Sequence, residues 1–331
     1  MDSFTQIVLG IAVAEVCAGK VLKNRVFLYG AVLGTIPDLD VVVGKFLNPI
    51  DGVMIHRGMS HSLLFFLLLS PILGWYTTRI EKQRISLKRA SWMAFWCLFT
   101  HALLDMCTTW GTQILWPLPY RYSLNSIFVI DPLYTVPLLI TLIMVWRTKN
   151  NVLRTRYVKW GLYISTGYLL LACGIKLYAL NQFEKALAVQ KIAYNEIMVK
   201  PTAFNLILWN ANIATKEGYL LGDYSLFDTQ PIAFKSYPKN PELEIALKDN
   251  TDFKKLQIAS EGWYLVSQYN GKLYFNDLRF GLLNNNPNNP QFVFSYEFVP
   301  TPQGLKAFEV LKNNRDGKAL LKRIFTRLQG N

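Results

Sequence analysis

Up to about residue 180 the apolar residues of this 331-residue chain gather into long runs, and beyond that point they do not. Helices that cross a bilayer need about 20 mostly apolar residues. Runs approaching that length cover 4–19, 26–46, 62–78, 90–110, 129–146 and 158–180. The first is short and contains Glu15, so it either spans marginally or lies re-entrant. The second is interrupted by Pro37-Asp38-Leu39-Asp40. Proline lacks an amide hydrogen and disfavours helix at the residue before it, so a helix breaks there, beside a polar site. Such breaks are tolerated at membrane depth where they line a cavity or are buried in protein. The pattern predicts an all-α polytopic membrane bundle of about five or six segments over residues 1–180.

Polar positions between the runs give the bundle a direction. Lys20, Lys23 and Arg25 separate the first two runs; Arg79, Lys82, Arg84, Lys88 and Arg89 separate the third and fourth; Arg147, Lys149, Arg154, Arg156 and Lys159 separate the fifth and sixth. The intervening linkers, 47–60 and 111–128, are poor in Lys and Arg. Basic linkers stay in the cytoplasm, so 47–60, 111–128 and everything after Leu180 are expected outside it. In a bacterium this means an inner-membrane protein with an extracytoplasmic C-terminal part.

After residue 180 the pattern is that of a soluble domain. Helical periodicity covers 182–198. Strand-like stretches cover 204–209, 219–226, 232–237, 263–269, 272–280 and 291–299, and 241–248 and 252–258 read as short helices. Asn270-Gly271 between two alternating stretches signals a hairpin. A polar loop at 284–290 and a basic helical tail over 303–328 complete an expected α+β domain over 181–331.

Composition adds little to this picture except by exclusion. The formal net charge of +13 follows in good part from the cytoplasmic linkers, and no RNA- or DNA-binding motif accompanies it, so no nucleic-acid partner is expected. Cys17, Cys97, Cys107 and Cys173 all lie in apolar runs, with neither a disulfide framework nor a CxxC pair. The start, Met1-Asp2-Ser3, lacks the positive region of a typical cleaved signal peptide.

Candidate chemistry sits in the membrane half. The only histidines are His56, His61 and His101. His101 and Asp105, at i and i+4, share one face of the fourth run. Asp38 and Asp40 flank the break in the second run and, if extended there, point the same way. His56 and His61 stand five residues apart in the outer linker. The predicted topology puts all six at one depth, near the outer leaflet. Ionisable groups at membrane depth are costly and mark function, and imidazole with carboxylate is a ligand set for zinc, manganese or iron. Asp38, Asp40, His56, His61, His101 and Asp105 are therefore the candidate ligands of a divalent metal, zinc first. Arg57 is a candidate phosphate holder, or equally a headgroup anchor. Trp110, Trp116 and Tyr120 read mainly as an interfacial aromatic belt.

The motifs Asp2-Ser3-Phe4-Thr5-Gln6, Pro37-Asp38-Leu39-Asp40, His56-Arg57-Gly58-Met59-Ser60-His61-Ser62, His101-Ala102-Leu103-Leu104-Asp105, Thr108-Thr109-Trp110-Gly111-Thr112-Gln113 and Asp131-Pro132-Leu133 resemble the YdjM-like family. Its members are inner-membrane proteins described as metal-dependent hydrolases, distantly similar to zinc-dependent phospholipases C and single-strand nucleases. The resemblance covers about residues 1–180. It implies a hydrolase whose metal-activated water attacks a phosphoester, with Asp38, His56 and Arg57 as catalytic candidates. This chain has fewer histidines than those enzymes and begins Met-Asp, so one or two metals are expected rather than three. Location at the outer leaflet implies membrane lipids as partners and a lipid phosphoester as substrate. The alternatives are an ion or solute transporter, and a non-catalytic sensor or assembly factor with a structural metal.

Overall fold

The computed structural model describes residues 1–283, 290–302, 304–311 and 317–331. It divides into two units. The first comprises Met1–Val43, Ile55–Ile175 and Ala203–Asn205; the second comprises Gly44–Met54, Lys176–Thr202 and Leu206–Asn331.

In the first unit, α1 (Ser3–Leu22) and α2 (Val26–Thr35) form a hairpin. Asp2 caps α1 by accepting the Thr5 amide. The hairpin is closed by glycine. A Cβ at Gly10 would lie 2.3 Å from the Gly30 carbonyl oxygen, and one at Gly34 2.7 Å from the Gln6 carbonyl oxygen. The two backbones therefore touch, and any larger residue would force them apart. Lipid tails are as apolar as leucine, so helices in a membrane hold together through such close packing rather than through burial alone. The helix stops at Thr35, Pro37–Leu39 forms a short 3₁₀ turn, and α3 (Asp40–Gly44) follows, as the proline requires. Most of α4 (Pro49–Ile55) belongs to the second unit.

The next pair, α5 (Leu63–Ile80) and α6 (Leu87–Met106), begins with the serine caps Ser62 and Ser86. Gly74 lets α5 approach Ser91, whose nitrogen would lie 2.6 Å from an added Cβ. Phe66, Leu98 and Ala102 are buried between them. Asp131 caps α7 (Pro132–Arg147), and α8 (Asn151–Val189) is one helix of 39 residues. Three stretches, Ser3–Thr35, Leu63–Ile80 and Asn151–Val189, are long and apolar enough to cross a membrane; Pro132–Arg147 is a shorter apolar helix.

Glu15 does not disrupt the first run. Arg154 meets it in a bidentate pair, Nε–Oε1 2.9 Å and Nη2–Oε2 2.6 Å, and donates to the Val145 carbonyl at 3.0 Å. A buried carboxylate is tolerable when so paired. Contacts at this end tie the basic linkers together: Tyr29 donates to Glu81 at 2.8 Å, and Asn24 to the Trp146 carbonyl at 3.2 Å. The Lys/Arg-bearing linkers thus share one end of the unit, as strict alternation demands.

In the second unit, β1 (Glu196–Pro201), β2 (Leu208–Ala214), β3 (Gly218–Ser225) and β4 (Phe234–Pro238) form an antiparallel sheet in sequence order. After α9 (Pro241–Leu247) and α10 (Thr251–Ala259), a second antiparallel sheet follows: β5 (Tyr264–Tyr269), β6 (Lys272–Leu282), β7 (Phe292–Thr301) and β8 (Gly304–Glu309). Asn270 and Gly271 turn the β5–β6 hairpin with φ of 49° and 76°, the left-handed pair this turn needs. Three expectations are corrected. The helix over 182–198 is the end of α8, which stops at Val189, and Glu196–Pro201 is strand. The strand at 204–209 shifts to Leu208–Ala214. Among the described residues of the expected helical tail over 303–328, Gly304–Glu309 is strand paired with β7 and Gly317–Leu328 is helix α11. Most of the polar loop at 284–290 lies outside the described residues.

Lys200 on β1 is buried, donates to the Leu278 carbonyl at 3.3 Å, and burial pushes its pKa down to about 7. Between pH 7 and the ordinary lysine range the unfolded chain binds the extra proton, so stability rises with pH across that window. Lys200→Met should flatten this rise and raise the unfolding midpoint of the second unit at pH 7. Asn212 still serves the Leu278 carbonyl at 2.7 Å. Denaturant melts at pH 7 and pH 10 check this; identical pH slopes for the two proteins would refute it.

Candidate metal centre

The ends of three helical segments bring the candidate residues together. The 3₁₀ turn after α2 carries Asp38, the turn before α5 carries His61, and the last turn of α6 carries His101 and Asp105. His61, His101 and Asp105 are fully buried, and Asp38 is the exposed edge of the group. His61 Nε2 lies 3.5 Å from Asp38 Oδ1 and 3.4 Å from Asp105 Oδ2; His101 Nε2 lies 3.5 Å from each of the same two oxygens. The atoms alternate nitrogen, oxygen, nitrogen, oxygen around a ring, all within 4.8 Å of one another.

The hydrogen bonds around the ring place a proton on the outer nitrogen of each imidazole. His101 Nδ1 lies 2.7 Å from the Gly34 carbonyl oxygen, which only accepts, so Nδ1 holds the proton and a neutral ring turns its Nε2 lone pair inward. The same reasoning applies to His61. Ser60 donates its hydroxyl proton to Asp40 Oδ2 at 2.7 Å, so at 2.9 Å its oxygen accepts from His61 Nδ1. His61 Nε2, His101 Nε2 and Asp105 Oδ2 have no hydrogen-bond partner among the described residues. With both imidazoles neutral, four acceptor atoms face one another, an arrangement that a proton on one Nε2 or a bound cation would relieve. Each unsatisfied buried group costs about 1–3 kcal/mol. A cation relieves all of them at once. Tetrahedral ligands about 2.1 Å from a zinc ion are separated by about 3.4 Å, and the four neighbouring separations around the ring are 3.4–3.5 Å. The donor set fits a divalent metal.

The surrounding residues hold this arrangement. Gln6 donates to Asp105 Oδ1 at 3.0 Å and to the His101 carbonyl at 3.2 Å. Arg57 Nη2 pairs with Asp105 Oδ1 at 3.1 Å, its Nη1 donates to Thr108 at 2.9 Å, and the Met1 amine also contacts Asp105. Arg57 is therefore buried and engaged, not the exposed cation that its expected headgroup role required. Its backbone is left-handed at φ 58° and is held there from both sides. Its amide donates to Asp40 Oδ2 at 2.9 Å, and its carbonyl accepts from the Gln113 amide at 3.0 Å.

Asp38 and Asp40 lie on a helical rather than an extended turn and have different partners. Asp38 enters the ring, whereas Asp40 serves His56 Nδ1 at 3.0 Å, Ser60 and the Arg57 amide. Asp38, Asp40 and His56 form a second trio with ligand atoms within 4.8 Å. His56 is partly exposed and burial holds its pKa below the ordinary value, more strongly than Asp40 raises it. Gln6, Ser60 and Thr108 lie in the motifs, but residue type alone assigns them no role, and the Gly34 carbonyl leaves no trace in residue type.

His101→Ala and Asp105→Asn should each remove stoichiometric metal from the purified protein. Ser60→Ala should weaken metal binding about 10–100-fold, the usual effect of removing a group that orients a ligand histidine. Metal content measured after dialysis decides; full occupancy in His101→Ala would sink the assignment.

No solved structure matches the chain. Inner membrane protein YbcI of Escherichia coli (strain K12) is 33% identical over 114 residues, which are 33% of this chain and 65% of that protein, so the match spans just under two thirds of the relative. A family model described as YdjM inner membrane protein matches residues 1–179, more than half of the chain and all of the residues that build the centre, and the chain therefore belongs to the YdjM family.

Proposed function

We propose that this protein is a metal-dependent hydrolase of the inner membrane that cleaves a phosphoester in a lipid or other amphiphilic substrate at the outer leaflet. The observation that carries the reading is the ring of four inward-facing acceptors, Asp38, His61, His101 and Asp105, within 4.8 Å of one another. A divalent metal there, zinc first by its imidazole and carboxylate donors, would lower the pKa of water towards 7 and polarise a phosphoryl oxygen. The chain's own groups divide the remaining work. Asp38 is the ring's accessible edge, where a substrate oxygen can approach. His56, oriented by Asp40, is the general base or acid; its lowered pKa keeps the ring neutral near pH 7. Arg57 holds Asp105 in place and offsets its charge. Asp40 and Ser60 orient His61.

A structural ion in a non-catalytic sensor is the second reading. Its support is the donor count, since four protein ligands fill a tetrahedral shell as structural zinc sites do. Hydrolysis decides between them. The purified protein in detergent, loaded with zinc, should hydrolyse a phospholipid or a generic phosphodiester. His56→Ala should lower the rate about 100-fold, typical of a lost acid–base group, while retaining metal. Asp38→Ala and His101→Ala should each abolish activity, and their combination should add little. Full metal occupancy with no hydrolysis of either substrate would leave the structural reading. The topology has its own arm: Glu242→Cys should react with an impermeant thiol reagent in intact cells and Arg84→Cys only after permeabilisation. The reverse pattern would invert the orientation.

A further inference from the structure

The chain leaves the first unit at Val43 and returns at Ile55, and the intervening residues Gly44–Met54 are built into the second unit. The excursion has a narrow neck: a Cβ at Gly52 would lie 3.1 Å from the Gly44 carbonyl oxygen. At its tip, Ile50 is 2% exposed and packs in the core of the C-terminal unit with Leu247, Phe253, Leu256 and Phe275. Next to it, Asp51 forms an ion pair with Lys255 of α10. An apolar side chain seated in a close-packed core is not free to slide.

The residues on either side of the neck are those of the centre. Asp38 and Asp40 precede it, and His56, Arg57, Ser60 and His61 follow it. Asp40 and the following segment are joined across the neck by the His56 and Arg57 amide contacts, 3.0 and 2.9 Å. The geometry points to Ile50 and Asp51 as positioning residues for the metal centre: by pinning the excursion in the core of the C-terminal unit, they fix the spacing between the Asp38–Asp40 turn and the His56–His61 segment. The inference rests on the metal reading for its consequence, but the pinning itself is a property of the chain. Linkage then runs both ways. Metal binding steadies the C-terminal core, and loosening Ile50 weakens metal binding.

The test uses the full chain in detergent and two readouts, zinc affinity by competition with a chelating dye and hydrogen exchange at the Arg57 amide. Ile50→Ala should weaken zinc binding and speed Arg57 exchange, each about tenfold, a usual size for coupling between sites. Leu265→Ala, in the separate core cluster of the same unit that does not include Ile50, should do neither while the unit remains folded. Where Ile50→Ala does not fold, three glycines inserted after Phe46 lengthen the tether without touching the core and should have the same two effects. Unchanged Arg57 exchange in the Ile50 or insertion variant would overturn the inference, and so would an equal effect of Leu265→Ala. A wild-type chain that binds no zinc would remove the metal reading alone, because the exchange arm still decides whether the excursion positions the segment.

Discussion

Lone pairs repel, and carboxylates and neutral imidazoles buried face to face are stabilised by a cation among them. That constraint organises the first unit. The Gly34 carbonyl and Ser60 leave the two imidazoles no choice of tautomer: each spends its Nδ1 proton outward and aims Nε2 inward. Gln6 and Arg57 occupy one oxygen of Asp105 and leave the other for the ring. Without a cation the three orphaned atoms would cost several kcal/mol together, at about 1–3 kcal/mol each.

The helices serve this geometry. Gly10, Gly30 and Gly34 bring α1 and α2 into backbone contact, and the last of these also presents the carbonyl that orients His101. The glycine that sets the helix spacing therefore also sets a ligand. At the other end of the unit, the Glu15–Arg154 pair and the linker contacts close the bundle. Charge is concentrated at two levels, one structural and one chemical, with apolar helix between. The C-terminal unit includes Gly44–Met54, with Ile50 in its core.

Much of this was readable from residue order because it depends on local rules. Pro37 had to interrupt a helix. His101 and Asp105 had to share a face, and the alternation of basic linkers had to reflect alternating helix ends. Asn270-Gly271 had to turn a hairpin. What was not readable depends on non-local partners. Glu15 looked like a defect because its partner, Arg154, lies 139 positions away. Arg57 looked like an exposed cation because nothing in the sequence shows that Asp105 and Thr108 enclose it. Asp38 and Asp40 looked equivalent because spacing alone does not tell extended chain from a helical turn, and a turn sends them to different tasks. Ile50, in a polar-looking linker, gave no sign that it completes the core of the other half.

X-ray absorption at the zinc edge of the loaded, purified protein reads the ligands themselves. One tightly bound ion is expected, with two imidazole nitrogens and carboxylate oxygens at about 2.0–2.2 Å, the distances usual for such ligands. His101→Ala should lose one imidazole from that shell. A shell with sulfur, or one holding both imidazoles in His101→Ala, would contradict the ligand assignment.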